Sequence, residues 1–502
     1  KERQVNNNES EFNPLYKELR SKLADAVIER NTLNNRLTAF NKLVDEAYER
    51  RKRIATNQAE LSELTRDYSV LQDQYEDMLA KKEKARILRR FCDKNNRDLG
   101  LGLRMLKINS DVVIIGGGVA GLWLLNRLND LGYNALLIEK EGIGGTQTLC
   151  SQGIIHGGVK YSLGGALTGA ASAISEMPSR WMNCLQNKGE IDLSATNVLS
   201  QNQLMWSNQG LSSKLTSFFS SRVLNGKVSM LEKHGFPELF KNSCFNGSLY
   251  QLNEPVIDVP SLVETLGSKW RKRIVCGTKE LEFKKNNSGE VTSVIIKDTN
   301  IEIATKQFLL TAGEGNKGLL DSLSIRRPKM QLRPLKMALV KGAGLVDLYA
   351  HCIGSGTKPQ LTITTHRHLD GESIWYLGGK VAEEGADLSD SELISKAQSA
   401  LRNALPWVKF ENLNWSAHFV NRAEPEQSGF LRPDSAFLQS HKNVHVCWPT
   451  KLALTPDLAD KVVNLMGSVE KQSIDNSLEE QLGVLDKKYR MRLSPSLWER
   501  LF

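Results

Sequence analysis

The stretch DVVIIGGGVAGLWLLNRLNDLGYNALLIEK, residues 111–140, decides the fold. Residues 111–115 have the aliphatic pattern of a buried strand, and Gly116, Gly118 and Gly121 follow as G-x-G-x-x-G. An apolar-rich helix is expected over Leu122–Leu131 and a second strand over Ala135–Ile138, ending at Glu139. Each glycine has a separate task. Gly116 permits the tight turn, Gly118 lets the backbone approach a pyrophosphate, and Gly121 lets the helix pack close to the strand. The helix N-terminus, with Val119 and Ala120, offers unpaired N–H groups and partial positive charge to phosphates. Glu139 lies 23 residues after Gly116, where an acid accepts ribose hydroxyls, and Lys140 follows it. Strand, glycines, helix, strand and acid in this order imply dinucleotide binding, whereas a lone glycine-rich turn would not.

Toward the N-terminus the composition changes. Residues 1–99 contain no glycine, and Pro14 is their only proline. Chains without these breakers favour long helices. Leu33, Leu37, Phe40, Val44 and Ala47, then Leu61, Leu64, Tyr68, Leu71, Tyr75 and Met78, recur in alternating steps of three and four. That is the seam of a coiled coil and implies coiled-coil self-association. The basic cluster Arg50–Arg53 separates the two runs, leaving one continuous helix or an antiparallel hairpin open. The expected division is a coiled coil over 1–90, a linker over 91–107, a dinucleotide-binding body over 108–465 and a helical tail over 466–502.

Composition narrows the class. The chain has 502 residues, 40% of them hydrophobic, and a net charge of +9. No stretch reaches the roughly 18 apolar residues of a membrane helix. Seven scattered cysteines without a C-x-x-C pair suit a reducing cytoplasm. The charge is modest for this length; acidic lipids at the inner membrane or anionic substrates suit it, and no nucleic acid is expected.

Toward the C-terminus, GIGGTQTLCSQGIIHGGVKY (142–161) resembles the segment after the second strand in the D-amino-acid oxidase superfamily. The likeness extends to glycerol-3-phosphate dehydrogenases and hydroxyglutarate oxidases. NEPVIDVPSLVETL (253–266), FLLTAGEGN (308–316), RAEPEQSGFLRPDSAF (422–437) and VHVCWPTKLALTPDLADKVV (444–463) resemble later elements of the same superfamily, in its order. The resemblance implies an α/β fold, with a Rossmann-type FAD-binding domain interleaved with a mostly antiparallel substrate domain. It implies FAD as cofactor, beside Ser151, Gln152, Gly153, Thr311, Ala312 and Gly313. It places the last turn, with Lys451 and Leu452, over the flavin pyrimidine, although the family usually has glycines there. NPLYKELRSKLADA (13–26) and LTRDYSVLQDQYEDMLAKKEKARI (64–87) resemble the coiled coil of bacterial polysaccharide chain-length determinants.

Such flavoproteins move a hydride from a carbon bearing OH or NH to the flavin while a base takes the heteroatom proton. The resemblance makes His156 the candidate base and Arg422 the candidate anchor of a substrate carboxylate. Arginine suits that role through its two-pronged donor geometry. Tyr376, in SIWYLGG (373–379), is a further candidate for the pocket wall, with a buried aromatic in a strand as the alternative role. His351, His366 and His368 lack ligand spacing for a metal and read as structural. The expected enzyme is an FAD-dependent dehydrogenase or oxidase of a small hydroxy acid, amino acid or polyol phosphate, with oxygen or a quinone as acceptor. The alternative is a non-catalytic flavoprotein tethered by its coiled coil to envelope-polysaccharide synthesis.

Overall fold

The computed structural model describes Lys22 and residues 105–158, 170–207, 228–297, 299, 301–354, 358–427, 435–467 and 477–502. By its contacts the chain divides into Lys1–Ala85 and Arg86–Phe502. The expected coiled coil, Lys22 apart, and most of the linker lie outside the described residues.

The strand begun by the fingerprint is longer than its aliphatic run, spanning Leu106–Ile115. It forms the centre of a sheet of eight strands. The parallel strands Ile301–Leu310 and Ala135–Ile138 flank it. Ile274–Val275 continues one side; Val444–Trp448, then Phe437–His441, continue the other. The hairpin Leu281–Lys285 and Val291–Ile296 extends antiparallel from Ile301–Leu310. Both faces are covered, as parallel strands with aliphatic runs require. On one face helix Val119–Asp130 buries Leu122, Trp123, Leu125 and Leu128 against helices Val259–Ser268 and Thr455–Met466. The other face packs Val113, Ile115, Leu136 and Phe308 with Leu478, Leu482, Leu485 and Tyr489 from near the C-terminus. The residues after 466 thus contribute to the core of the first sheet.

A second eight-stranded sheet runs in the order Asn414–Pro425, Met330–Gly342, Ser373–Gly378, Pro359–Arg367, Ala350–Ile353, Gln203–Ser207, Ser248–Leu252 and Val228–Met230. Its pairings are antiparallel except that of Ala350–Ile353 with Gln203–Ser207. Helix Asp390–Ala404 seals one face through Leu393, Ala397 and Leu401, spaced four apart so that they share one stripe. Ser389 and Glu392 close its N-terminus as a capping box. Strands of the two sheets alternate along the chain, so the interleaved α/β architecture expected from the sequence is the one found. No helix among the described residues is long and apolar enough to cross a membrane.

Candidate functional site

The C-terminal ends of the parallel strands open into a cleft of about 1400 Å³, walled on the far side by the second sheet. This is where open α/β sheets bind nucleotides. The glycine loop lies at its base. Gly116 adopts φ +112°, and a Cβ there would lie 2.5 Å from the Ala312 Cα. A Cβ on Gly121 would lie 2.0 Å from the Gly116 carbonyl oxygen, so the helix can touch the strand only because position 121 is bare. Gly118 is the N-cap of helix Val119–Asp130 and has no capping side chain. A Cβ there would meet only the Thr148 hydroxyl at 3.2 Å, so the bare face of Gly118 looks into the cleft.

Neighbouring segments hold this loop. The Thr311 hydroxyl donates to the carbonyls of Gly116 at 2.9 Å and Ile115 at 3.1 Å. Glu139 accepts from the Gly117 and Glu141 amides. Thr148, which the sequence did not single out, accepts from Val119 N at 3.1 Å. Gly116, Gly118, Val119, Ala120, Glu139, Lys140, Ser151, Gln152, Gly153, Thr311, Ala312, Gly313, Lys451 and Leu452 all line the cleft. Gly121 stands behind it as a packing residue. The Ser151 hydroxyl is buried at the wall with no hydrogen-bond partner among the described residues. A buried hydroxyl of that kind calls for a ligand atom. Bare helix terminus, glycine cradle, acid and waiting hydroxyl together fit FAD.

The turn over which the family carries glycines is Pro449–Ala453 here. Thr450 adopts φ +61°, a conformation costly for a β-branched residue, and its hydroxyl donates to Ser435 O at 3.0 Å. The glycine-type bend is therefore kept without the glycine.

At the other end of the cleft, Gln152 donates to Tyr376 O at 2.9 Å and ties this wall to the second sheet. His156 is partly exposed to the cleft, and its Nδ1 lies 3.0 Å from Glu254 Oε2. The Glu254 side chain is only 2% exposed, and its other oxygen accepts from Gly157 N at 2.8 Å. His351 stacks on His156 with ring centroids 5.9 Å apart, and its Nδ1 lies 2.8 Å from the Thr362 hydroxyl. The donor atoms of His156, Glu254 and His351 all fall within 4.8 Å of one another. His351, read from the sequence as structural, thus belongs to the surroundings of His156.

Arg422 lines the same cleft from strand Asn414–Pro425. Its neighbour Glu424 is engaged by Arg333, through Nη2 at 3.1 Å and also through Nε. Tyr376 does not fill the pocket-wall role and takes the alternative one, a buried aromatic in a strand. It is fully buried in the second sheet and its hydroxyl donates to Cys150 O at 2.9 Å. Burial pushes its phenol well above the usual range, leaving it a packing and hydrogen-bonding residue.

An α/β body with a glycine-cradled cleft between its two sheets defines a dinucleotide-binding flavoprotein architecture. The family model of FAD-dependent oxidoreductases of the DAO type matches residues 111–419. The probable FAD-dependent oxidoreductase PA4991 of Pseudomonas aeruginosa is 43% identical over 71% of this chain and 90% of its own length. Its crystal structure superposes with a TM-score of 0.67 over 79% of this chain and 99% of that one. The glycine oxidase of Bacillus cereus shares the fold, with TM-score 0.53, 16% identity, and 74% and 98% coverage. So does the L-α-glycerophosphate oxidase of Mycoplasma pneumoniae solved with FAD bound, with TM-score 0.53, 15% identity, and 71% and 94% coverage. The chain belongs to the family of FAD-dependent oxidoreductases of the DAO type. It is an enzyme, and FAD is its cofactor.

Proposed function

We propose that the enzyme oxidises a small acid at a carbon bearing OH or NH, with His156 taking the heteroatom proton. The observation that carries this is the contact between His156 and buried Glu254 at the edge of the cofactor cleft. FAD supplies the hydride acceptor. Glu254 is held by the Gly157 amide and cannot turn away without leaving that donor unpaired. Accepting Nδ1–H from His156 fixes the tautomer and leaves Nε2 as the proton acceptor. The same contact stabilises the imidazolium once the proton has moved, as in other carboxylate–histidine pairs. Arg422 offers a two-pronged donor to the acid group of the substrate.

The test is a panel of hydroxy acids, amino acids and glycerol phosphate mixed with the FAD-loaded protein without oxygen. One of the acids should bleach the flavin absorbance. If only glycerol phosphate bleaches it, the acid reading fails. If nothing in the panel does, substrate oxidation of this kind is refuted.

A further inference from the structure

The last nine residues of the chain build a part of the cleft that lies outside every motif of the fingerprint. Ser494 anchors them by donating two hydrogen bonds to the strand-to-helix loop, from its amide to Ile143 O and from its hydroxyl to Gly142 O, each at 3.0 Å. Ser496 and Glu499 form a capping box that starts the short helix Leu497–Leu501. Leu497 is fully buried, and Trp498 is 4% exposed and stacks on His366 with centroids 4.1 Å apart. Arg500 sits on this anchored turn with its side chain lining the cofactor cleft. Its Nη2 lies 3.9 Å from Cys150 Sγ, which lies 3.3 Å from His418 Nε2. Among the described residues Arg500 forms no ion pair.

The floor beside it follows from strand register. His418, Val420 and Arg422 alternate onto one face of strand Asn414–Pro425. Their partners across the ladder are Met337, Leu335 and Arg333. Leu335, Met337 and Val420 line the cleft, so its floor is apolar in the middle. Arg422 marks one end. Arg500, beside Cys150 and His418, marks the other, four residues or about 14 Å along the strand. Long, flexible arginine side chains can close much of that span. A cation with no carboxylate partner among the described residues, held at the wall of a cleft by a well-packed helix, is placed to bind an anion rather than to support the fold.

We propose that Arg500 is a specificity residue that binds a second anionic group of the substrate, at the opposite end from the acid held by Arg422. The substrate is then a small acid carrying a further carboxylate or phosphate, separated from the first by a short apolar stretch over Leu335, Met337 and Val420. This rests on the substrate reading above but is read as binding, so it succeeds or fails independently of turnover.

The test uses the full-length, FAD-loaded protein. Propionate, succinate and 3-phosphonopropionate are titrated separately, and binding is followed by the change in flavin absorbance. Succinate, 3-phosphonopropionate or both should bind at least about tenfold tighter than propionate, one charge-assisted contact being worth about that much. Which of the two leads identifies the second group as carboxylate or phosphate. R500Q should remove the advantage and leave propionate binding unchanged, and R500K should restore part of it. Equal binding of all three probes to the wild type would overturn the proposal. So would an advantage that survives in R500Q, or an R500Q variant that weakens all three alike.

Discussion

Replacing Gly121 by alanine should loosen the nucleotide loop, and the structure sets the size of the effect. The new Cβ would lie 2.0 Å from the Gly116 carbonyl oxygen and 2.7 Å from the Thr311 hydroxyl. One neighbour is backbone, and the other belongs to a hydroxyl that bonds that same carbonyl. Neither can swing aside as a surface side chain would, so the helix must move off the strand by roughly 1 Å or more. Overpacking of this kind costs about 1–3 kcal/mol, and losing the Thr311 bond adds about 1 kcal/mol. G121A should therefore lose about 3 kcal/mol of stability, seen as a melting point lower by several degrees. FAD affinity should fall at least about tenfold, because Val119 and Ala120 at the helix start move with it. Thermal melting with and without added FAD, with released flavin quantified by fluorescence, measures both. The control is Gly235→Ala, where a Cβ meets nothing within 4 Å. If G121A melts and binds FAD like the control, close helix–strand packing is not what position 121 provides.

Glu254→Gln should keep FAD bound but slow flavin reduction by about tenfold or more and alter the pH profile of that step, since the tautomer of His156 is no longer set by a carboxylate; an unchanged profile would assign Glu254 to packing alone. His366 is fully buried and pushed down to about 3 by loss of hydration. Its folded form binds fewer protons than the unfolded chain between about pH 6.5 and 3, so stability should fall as pH drops through that window, by about 3 kcal/mol at pH 4.5. Melting scans from pH 6.5 to 4.5 should show this slope flattened in His366→Gln. A chain begun at Met105 should be soluble and yellow, because every described residue lining the cleft lies between 115 and 500; aggregated or flavin-free protein would refute this.

The nucleotide half of the site was legible because its physics is local. Gly116, Gly118, Gly121 and Glu139 lie within one strand–helix–strand unit, so their spacing alone fixes their relation. The interleaving of the sheets was legible only through resemblance, since nothing in the sequence between 203 and 425 announces which strands pair. The partner of His156 was hidden for the same reason. Glu254 stands 98 residues away, and no periodicity links it to the histidine. One signal was present: an acid inside an apolar segment, NEPVIDV, is a buried charge that needs a partner. Two roles stayed open for Tyr376 because its strand is buried on both faces and carries no alternation that separates a pocket wall from the core. Arg500 escaped notice because its role depends on the chain returning to the Ile143 loop through an isolated bridge at Leu493.

In the proposed reaction His156, set by Glu254, takes a proton while FAD accepts hydride from an acid. The most direct measurement is the rate of anaerobic flavin reduction by the acid that bleaches the wild type, compared with His156→Gln at equal FAD loading. The variant's rate should be lower by about a hundredfold or more, with substrate affinity changed far less. Equal rates in the two proteins would contradict it.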